Sequence, residues 1–410
     1  MFKNLLFPAL LVLCLVKSAY PITINEAVNQ ALRDNPDLQT LRLEKEVAKG
    51  RLEKAELPLA ANPVIESNLS GKDKPLEEGG GKYTNYGLKL SQEFEIAGQR
   101  GLRIDIAKKE LSRFAQEIKD RERVLAFEVK EAFARALAAK KKEDLTGQVM
   151  RLQEDLLNFT RIKFQAGEVS GLEVNLAEVE LSKSKKDLLL AGKEYLDTLL
   201  GLQGLMGGQA DTTLAIEGEL SSDVLSLPDK RDIIKSIVSK RPDMKAVLIE
   251  VDKTKRAIDL AQRSLVPNIV LGGFYNRDEL RNDLGLAVSI SIPLFDRKQA
   301  ERKEARARAA QARVKQTGLE RTINREFEEA YNALASSQKE LSLFKKEILD
   351  KSLENLALLN LAYKEGKIGF FNVRLAQKDT IETQFAYLET LLRARRAVNA
   401  LERATGGDMK

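Results

Sequence analysis

The sequence predicts a mainly α-helical protein with a small β part, built as two tandem repeats in which a strand hairpin precedes a long helical hairpin. Three observations carry that prediction: the spacing of the prolines, matches between the two halves, and an apolar period that changes from two to seven within each half. Proline is nearly excluded from helix interiors, at a cost of roughly 3 kcal/mol. The ten prolines fall at Pro8, Pro21, Pro36, Pro58, Pro63 and Pro75, then at Pro228, Pro242, Pro267 and Pro293. Two long proline-free blocks result, each preceded by a proline-marked region.

The halves match at an offset near 200, as expected of a duplication. Asn35-Pro36-Asp37 corresponds to Arg241-Pro242-Asp243, and Glu128-Val129-Lys130-Glu131-Ala132-Phe133 to Glu326-Phe327-Glu328-Glu329-Ala330-Tyr331. Phe164-Gln165-Ala166-Gly167 corresponds to Tyr363-Lys364-Glu365-Gly366, and Val174, Leu176 and Ala177 to Val373, Leu375 and Ala376.

Taken in order, residues 1–20 read as an export signal: Lys3, an apolar stretch from Leu5 to Val16 too short to span, then Lys17, Ser18 and Ala19. Cys14 lies inside it and follows Leu13, where a lipid-attachment signal wants a small residue. The first repeat is expected over 21–202, with strands at about 63–71 and 83–94 and a helical hairpin at about 98–200. A linker follows over 203–228. The second repeat is expected over 229–410, with strands at about 267–276 and 283–293 and a helical hairpin at about 296–401.

The strands are read from period two. Leu284, Leu286, Val288, Ile290 and Ile292 point one way, and Gly285, Ala287, Ser289 and Ser291 the other. In the first half Tyr86, Leu88 and Leu90 alternate with Gly87, Lys89 and Ser91. The hairpin loops are read at Gly79-Gly80-Gly81 and at Asn276 to Asn282. Such an apolar face is either buried in a soluble sheet or turned to lipid, and four strands close no barrel alone, since the smallest membrane barrels have about eight.

The long helices are read from period seven: Ile104, Leu111, Ile118, Leu125 and Ala132 in one half, Phe327, Leu334, Leu341 and Ile348 in the other. From Gly98 to Phe164 an unbroken helix would reach roughly 100 Å. Each helix is expected to turn back at a glycine, Gly167 or Gly366, the residue that takes the left-handed conformation at a helix end.

Composition narrows the chemistry. There is no histidine and Cys14 is the only cysteine. Histidine triads, zinc hydrolase sites, thiol nucleophiles and disulfides are thereby excluded; carboxylates are plentiful, but no pattern gathers them into a paired-acid site, so no catalytic residue, metal ligand or cofactor is named. Lys plus Arg is 67 and Asp plus Glu is 61, interleaved along most of the chain, which gives nucleic-acid binding little support.

Thr23-Ile24-Asn25-Glu26-Ala27 with Asn35-Pro36, Leu90-Ser91-Gln92-Glu93-Phe94, and Phe164-Gln165-Ala166-Gly167-Glu168-Val169-Ser170 with Leu172-Glu173-Val174 resemble the TolC family of outer-membrane efflux proteins over nearly all of the chain after residue 20. The resemblance implies a homotrimer whose twelve strands form one barrel over a periplasmic α-helical tunnel. It further implies passive conduction in the outer membrane, with a periplasmic adaptor (membrane fusion protein) and an inner-membrane transporter, such as one of the RND type, as partners. Ser91 to Arg100 is similar to the heavy-metal branch, although Glu93 stands where that branch has proline. Drug, dye or protein export remains the alternative, as does a soluble periplasmic coiled-coil scaffold or adaptor.

By the same resemblance, Gly167, Glu168, Val169, Ser170, Gly366, Lys367, Ile368 and Gly369 form the periplasmic tip where an adaptor docks. The pore constriction lies just beyond, at Glu173 in one repeat and Asn372 and Arg374 in the other. Leu284, Leu286, Val288, Ile290 and Ile292 are expected to face lipid.

Overall fold

The computed structural model describes residues 21–74, 76, 80–208, 214–220, 230–278, 281–344 and 346–407. The expected signal with Cys14, linker residues 209–213 and 221–228, Pro75, Gly79 and the side chain of Ile348 lie outside the described residues.

The element order is α1 (Ile24–Asp34), α2 (Pro36–Glu56), β1 (Val64–Lys74), β2 (Gly81–Phe94), α3 (Gln99–Gln165), α4 (Gly171–Leu205), α5 (Lys230–Lys240), α6 (Pro242–Arg263), β3 (Ile269–Asp278), β4 (Arg281–Ile290), α7 (Gln299–Leu343), α8 (Lys346–Lys364) and α9 (Phe370–Thr405). Two compact units emerge, each drawing on both repeats. One comes from within Met1–Asn35, Glu128–Val224 and Ser337–Arg396, the other from Pro36–Phe127, Leu225–Ser336 and Ala397–Lys410.

In the first unit, α1 starts at a capping box: Glu26 N–H donates to Thr23 Oγ1 at 3.4 Å, and Thr23 N–H to Glu26 Oε2 at 2.8 Å. Its far end is pinned by Asn35, whose Nδ2 donates to the Leu205 carbonyl at 2.9 Å. The core near the helix turns gathers Leu156, Leu157, Ala177, Leu181, Tyr363, Phe370 and Val373. Full burial of each large member is worth about 1.5–3 kcal/mol.

In the second unit the counterpart of Asn35 is Arg241, buried and fixed by Asp243 at 2.7 Å and Glu326 at 2.7 Å, with the Ala404 carbonyl at 3.4 Å. The two repeats thus fill one structural role with different chemistry: each ties a helix start to the end of its own repeat's last helix. The sheet also belongs to this unit. It is antiparallel, four-stranded and ordered β1-β2-β3-β4, so the hairpins of the two repeats join through β2 and β3.

Three boundaries differ from the sequence expectation. β4 stops at Ile290, leaving Ile292 beyond the strand. Pro293 has no N–H for a ladder and restricts the residue before it, and Leu294 N–H instead closes a tight turn onto the Ile292 carbonyl at 2.9 Å. The loop read at Asn276 to Asn282 is mostly paired strand, with Asn276 opposite Asp283 and Arg277 opposite Asn282. The second long helix is not continuous: α7 ends at Leu343 and α8 begins at Lys346. Here the Ser342 hydroxyl donates to the Lys339 carbonyl at 2.6 Å, competing with the helical ladder, and Phe344 N–H reaches the Glu340 carbonyl only at 3.4 Å.

Candidate functional site

Paired residues in an antiparallel sheet share a face, so the register defines two surfaces. One carries the rows Ile65, Leu90, Gly273, Leu286 and Ser67, Leu88, Tyr275, Leu284, with Gln92, Leu271 and Val288 beyond them. The other carries Glu66, Lys89, Phe274 and Gly285 beside Asn68, Gly87, Asn276 and Asp283. The first is apolar and bare: Leu284 is 85% exposed, Leu286 89% and Val288 67%, and Ile290 and Ile292 are also exposed. The second is polar and narrow in places. A Cβ on Gly87 would lie 2.1 Å from Asn68 Oδ1 and 2.5 Å from Asn276 Oδ1, so only glycine lets these amides close over the strand.

Toward the hairpin loops, Tyr86 and Tyr275 approach at 6.2 Å between ring centres, and Arg277 donates to the Tyr86 hydroxyl at 3.1 Å. The exposed apolar face is thus bordered by tyrosine and arginine.

At the other end of each repeat's first strand pair, the corner into the helix repeats one geometry. Gln99 Oε1 accepts from Ala97 N–H at 2.8 Å, and Gln299 Oε1 from Arg297 N–H at 2.7 Å. Gly98 has φ 77°, and its counterpart Lys298 has φ 53°, a left-handed conformation that its backbone and amine bonds to Asp296 at 2.9 Å support. Glu93, the residue in the unexpected position, accepts from Asn268 Nδ2 at 2.6 Å.

The helix turns, both within the first unit, are also twins. Gly167 has φ 76° and Gly366 φ 74°. Gly167 N–H donates to the Phe164 carbonyl at 3.0 Å and Glu168 N–H to Lys163 at 2.9 Å; Gly366 and Lys367 repeat this with Tyr363 at 3.0 Å and Ala362 at 2.8 Å. Each pair is a Schellman closure, satisfying the helix's last carbonyls. Val169 and Ile368 are half-buried, Ile368 packing on the nearby core, whereas Glu168, Ser170, Lys367 and Gly369 are exposed. The next helices start with Glu173 N–H on the Ser170 carbonyl and Asn372 N–H on Gly369, both at 3.1 Å.

Beneath the turns lies a polar cluster that no local period reveals. Lys163 is buried, its amine 5.2 Å from the Tyr363 ring centre and 3.2 Å from Glu168 Oε2. Thr160 Oγ1 and the Tyr363 hydroxyl are 3.3 Å apart. Burial pushes the Tyr363 phenol up, and the Glu173 charge adds to this against the Thr160 bond. Arg374 pairs with Glu180 at 2.5 Å rather than with Glu173, and Lys183 shares the same Glu180 oxygen at 2.9 Å. Asn372 is exposed. Sequence reasoning missed Glu180, Lys163 and Tyr363, because their neighbours lie on helices distant in the chain.

An exposed apolar sheet face carried with long glycine-terminated helical hairpins is the arrangement of an outer-membrane channel class. The chain belongs to the outer membrane efflux protein family, whose model matches residues 27–208 and 233–407. It is similar to the nickel-cobalt-cadmium resistance protein NccC of Alcaligenes xylosoxydans xylosoxydans, 25% identical over 58% of this chain and 54% of the relative. The nickel and cobalt resistance protein CnrC of Cupriavidus metallidurans is 22% identical over 58% of this chain and 56% of its own length. The chain therefore spans about half the length of these curated relatives. Its fold matches the MtrE outer membrane channel of Neisseria gonorrhoeae with a TM-score of 0.77 at 21% identity, covering 94% of this chain and 89% of that one.

Proposed function

We propose that this chain is the outer-membrane duct of a tripartite efflux system, passing heavy-metal cations outward without catalysing a reaction. The observation that carries the reading is the sheet: one face bare and apolar, the other polar, with outer edges on β1 and β4 that pair with no other described strand. Exposed edges are a liability unless another chain covers them. Three copies joined edge to edge supply twelve strands, enough to close a barrel where four are too few. The apolar face then meets lipid and the polar face lines the pore.

The turns at Gly167 and Gly366, with exposed Glu168, Ser170, Lys367 and Gly369, are the docking end for an adaptor, which links the duct to an inner-membrane pump. Glu173, Asn372 and Arg374 lie one helical turn further and form the constriction. The resistance proteins NccC and CnrC support metal cations as cargo.

Deleting the gene and scoring growth on nickel, cobalt and cadmium against growth on dyes and detergents tests the cargo. Sensitivity to the metals alone is the expected result, and sensitivity to dyes alone would move the chain to drug export. Sedimentation with membranes and release as a trimer by detergent tests the duct itself, whereas a soluble monomer would refute it.

A further inference from the structure

Just past β4 the chain leaves an apolar turn exposed, then a set of cations whose partners run out. Ile292 and Leu294 are exposed and Phe295 is 92% exposed. Three carboxylates follow and all are occupied. Lys298 takes Asp296 at 2.9 Å and Glu301 at 3.0 Å, and Arg308 takes Glu304 at 2.5 Å. Arg297, Lys303 and Arg306 are exposed and make no ion pair among the described residues, while Arg302 reaches only the Lys298 carbonyl at 3.4 Å. The equivalent corner of the first repeat differs. There Arg103 pairs with Glu95, and Arg100 donates to the carbonyls of Leu57 at 3.0 Å and Glu56 at 2.7 Å.

We propose that the corner between β4 and α7 binds anionic phospholipid headgroups. Leu294 and Phe295 continue the apolar face of Leu284 to Ile290 to the margin of the hydrocarbon, and Arg297, Lys303 and Arg306 hold phosphates of the adjoining leaflet. The inference rests on the outer-membrane reading of the sheet. Long cationic side chains can lie along apolar surface while their heads reach the phosphate plane. With a rise of 1.5 Å per residue, Arg306 stands roughly 11 Å along the helix from Gln299, near the Debye length of about 8 Å plus its own side-chain reach. Arg313 and Arg321 stand roughly 21 and 33 Å along and contribute nothing to headgroup binding.

The chain contains no tryptophan, so Phe295→Trp creates a single reporter. The full-length variant is reconstituted in phosphatidylcholine vesicles containing one-fifth phosphatidylglycerol, with bromine on the chains of one lipid or the other. Quenching by brominated phosphatidylglycerol should exceed its bulk share, by about fivefold for a cation fully at the headgroup plane. The excess should vanish in the Arg297→Gln, Lys303→Gln, Arg306→Gln triple variant while quenching by brominated phosphatidylcholine persists. An excess that survives in the triple variant, or that inorganic phosphate at constant ionic strength abolishes, overturns the lipid site. A Val288→Trp reporter separates the two readings: quenching there but not at residue 295 overturns only the headgroup site, and quenching at neither overturns the membrane placement.

Discussion

If the turns close the pore, the tie to cut is the one between Arg374 and Glu180. Its Nη2 to Oε1 distance is 2.5 Å and its side chains are 36% and 22% exposed. Partly exposed pairs of this kind contribute at most about 1 kcal/mol each, so three copies in a trimer sum to roughly 3 kcal/mol, about a hundredfold in the closed-to-open ratio. Lys183 shares the Glu180 oxygen, so the two single variants differ. Arg374→Gln leaves Glu180 with one cation, whereas Glu180→Gln leaves Arg374 and Lys183 without their shared carboxylate. Open probability in planar bilayers should therefore rise in both and more in Glu180→Gln. The double variant should show less than the sum, because both changes remove one bond. Glu173→Gln should add independently to Arg374→Gln. Coupling of Arg374 to Glu173 in place of Glu180, or unchanged opening in all variants, would refute the assignment.

On the sheet, arginine at Leu286, near the middle of β4, should cost about 2 to 4 kcal/mol of folding stability and the same change at Val288, nearer the strand end, less; urea unfolding from liposomes that gives equal values would remove the lipid face. Gly167→Val and Gly366→Val, each forcing a β-branched residue to positive φ, should impair export while a trimer still assembles, as read by metal sensitivity beside detergent-extracted trimer yield. In the second unit, burial pushes the Glu117 carboxyl up despite its Arg113 partner, and the negative charges of Glu110 and Glu250 push it the same way, so its charged form costs stability. Glu117→Gln should raise the thermal midpoint at neutral pH, and the gain should fade as pH falls through the raised folded value toward the ordinary 4.5, below which Glu117 is protonated in both states. Glu110 works the other way. Although burial opposes it, bonds from Arg113 and Lys253 hold its carboxyl at about 2, so its stabilisation is present above the ordinary value and is lost as pH falls toward about 2.

What the sequence made legible follows the range of the interactions. The turns at Gly167 and Gly366 and the alternation of β4 are local, set by φ preference and by period two, and both were readable. The end of β4 was misread by a few residues because the apolar alternation runs through Ile292, while Pro293 ends the ladder there for want of an N–H. Phe327 and Leu334 are fully buried as their spacing by seven predicts, but the end of α7 at Leu343 is a feature that no apolar period reports. The Arg374 partner was out of reach for a different reason: Glu173 and Glu180 are one heptad apart on the same helix, and only packing selects between them.

The duplicated corners show how one backbone serves unequal ends. At Gly98 and Lys298 the chain makes the same left-handed step, and the glutamine after each holds the same amide. Glycine meets the conformation without cost, whereas Lys298 needs Asp296 and Glu301 to hold it there, and those two acids are then lost to Arg297, Arg302 and Lys303. Lys298 thus occupies the two carboxylates nearest to Arg297, Arg302 and Lys303, and a Lys298→Gly variant supplies the check. It should keep the corner's backbone while releasing Asp296 and Glu301 to the neighbouring arginines, so excess phosphatidylglycerol quenching at residue 295 should fall although no headgroup-binding residue has been changed. Quenching that stays at the parent level would mean the cations are free for a reason other than the capture of their carboxylates by Lys298.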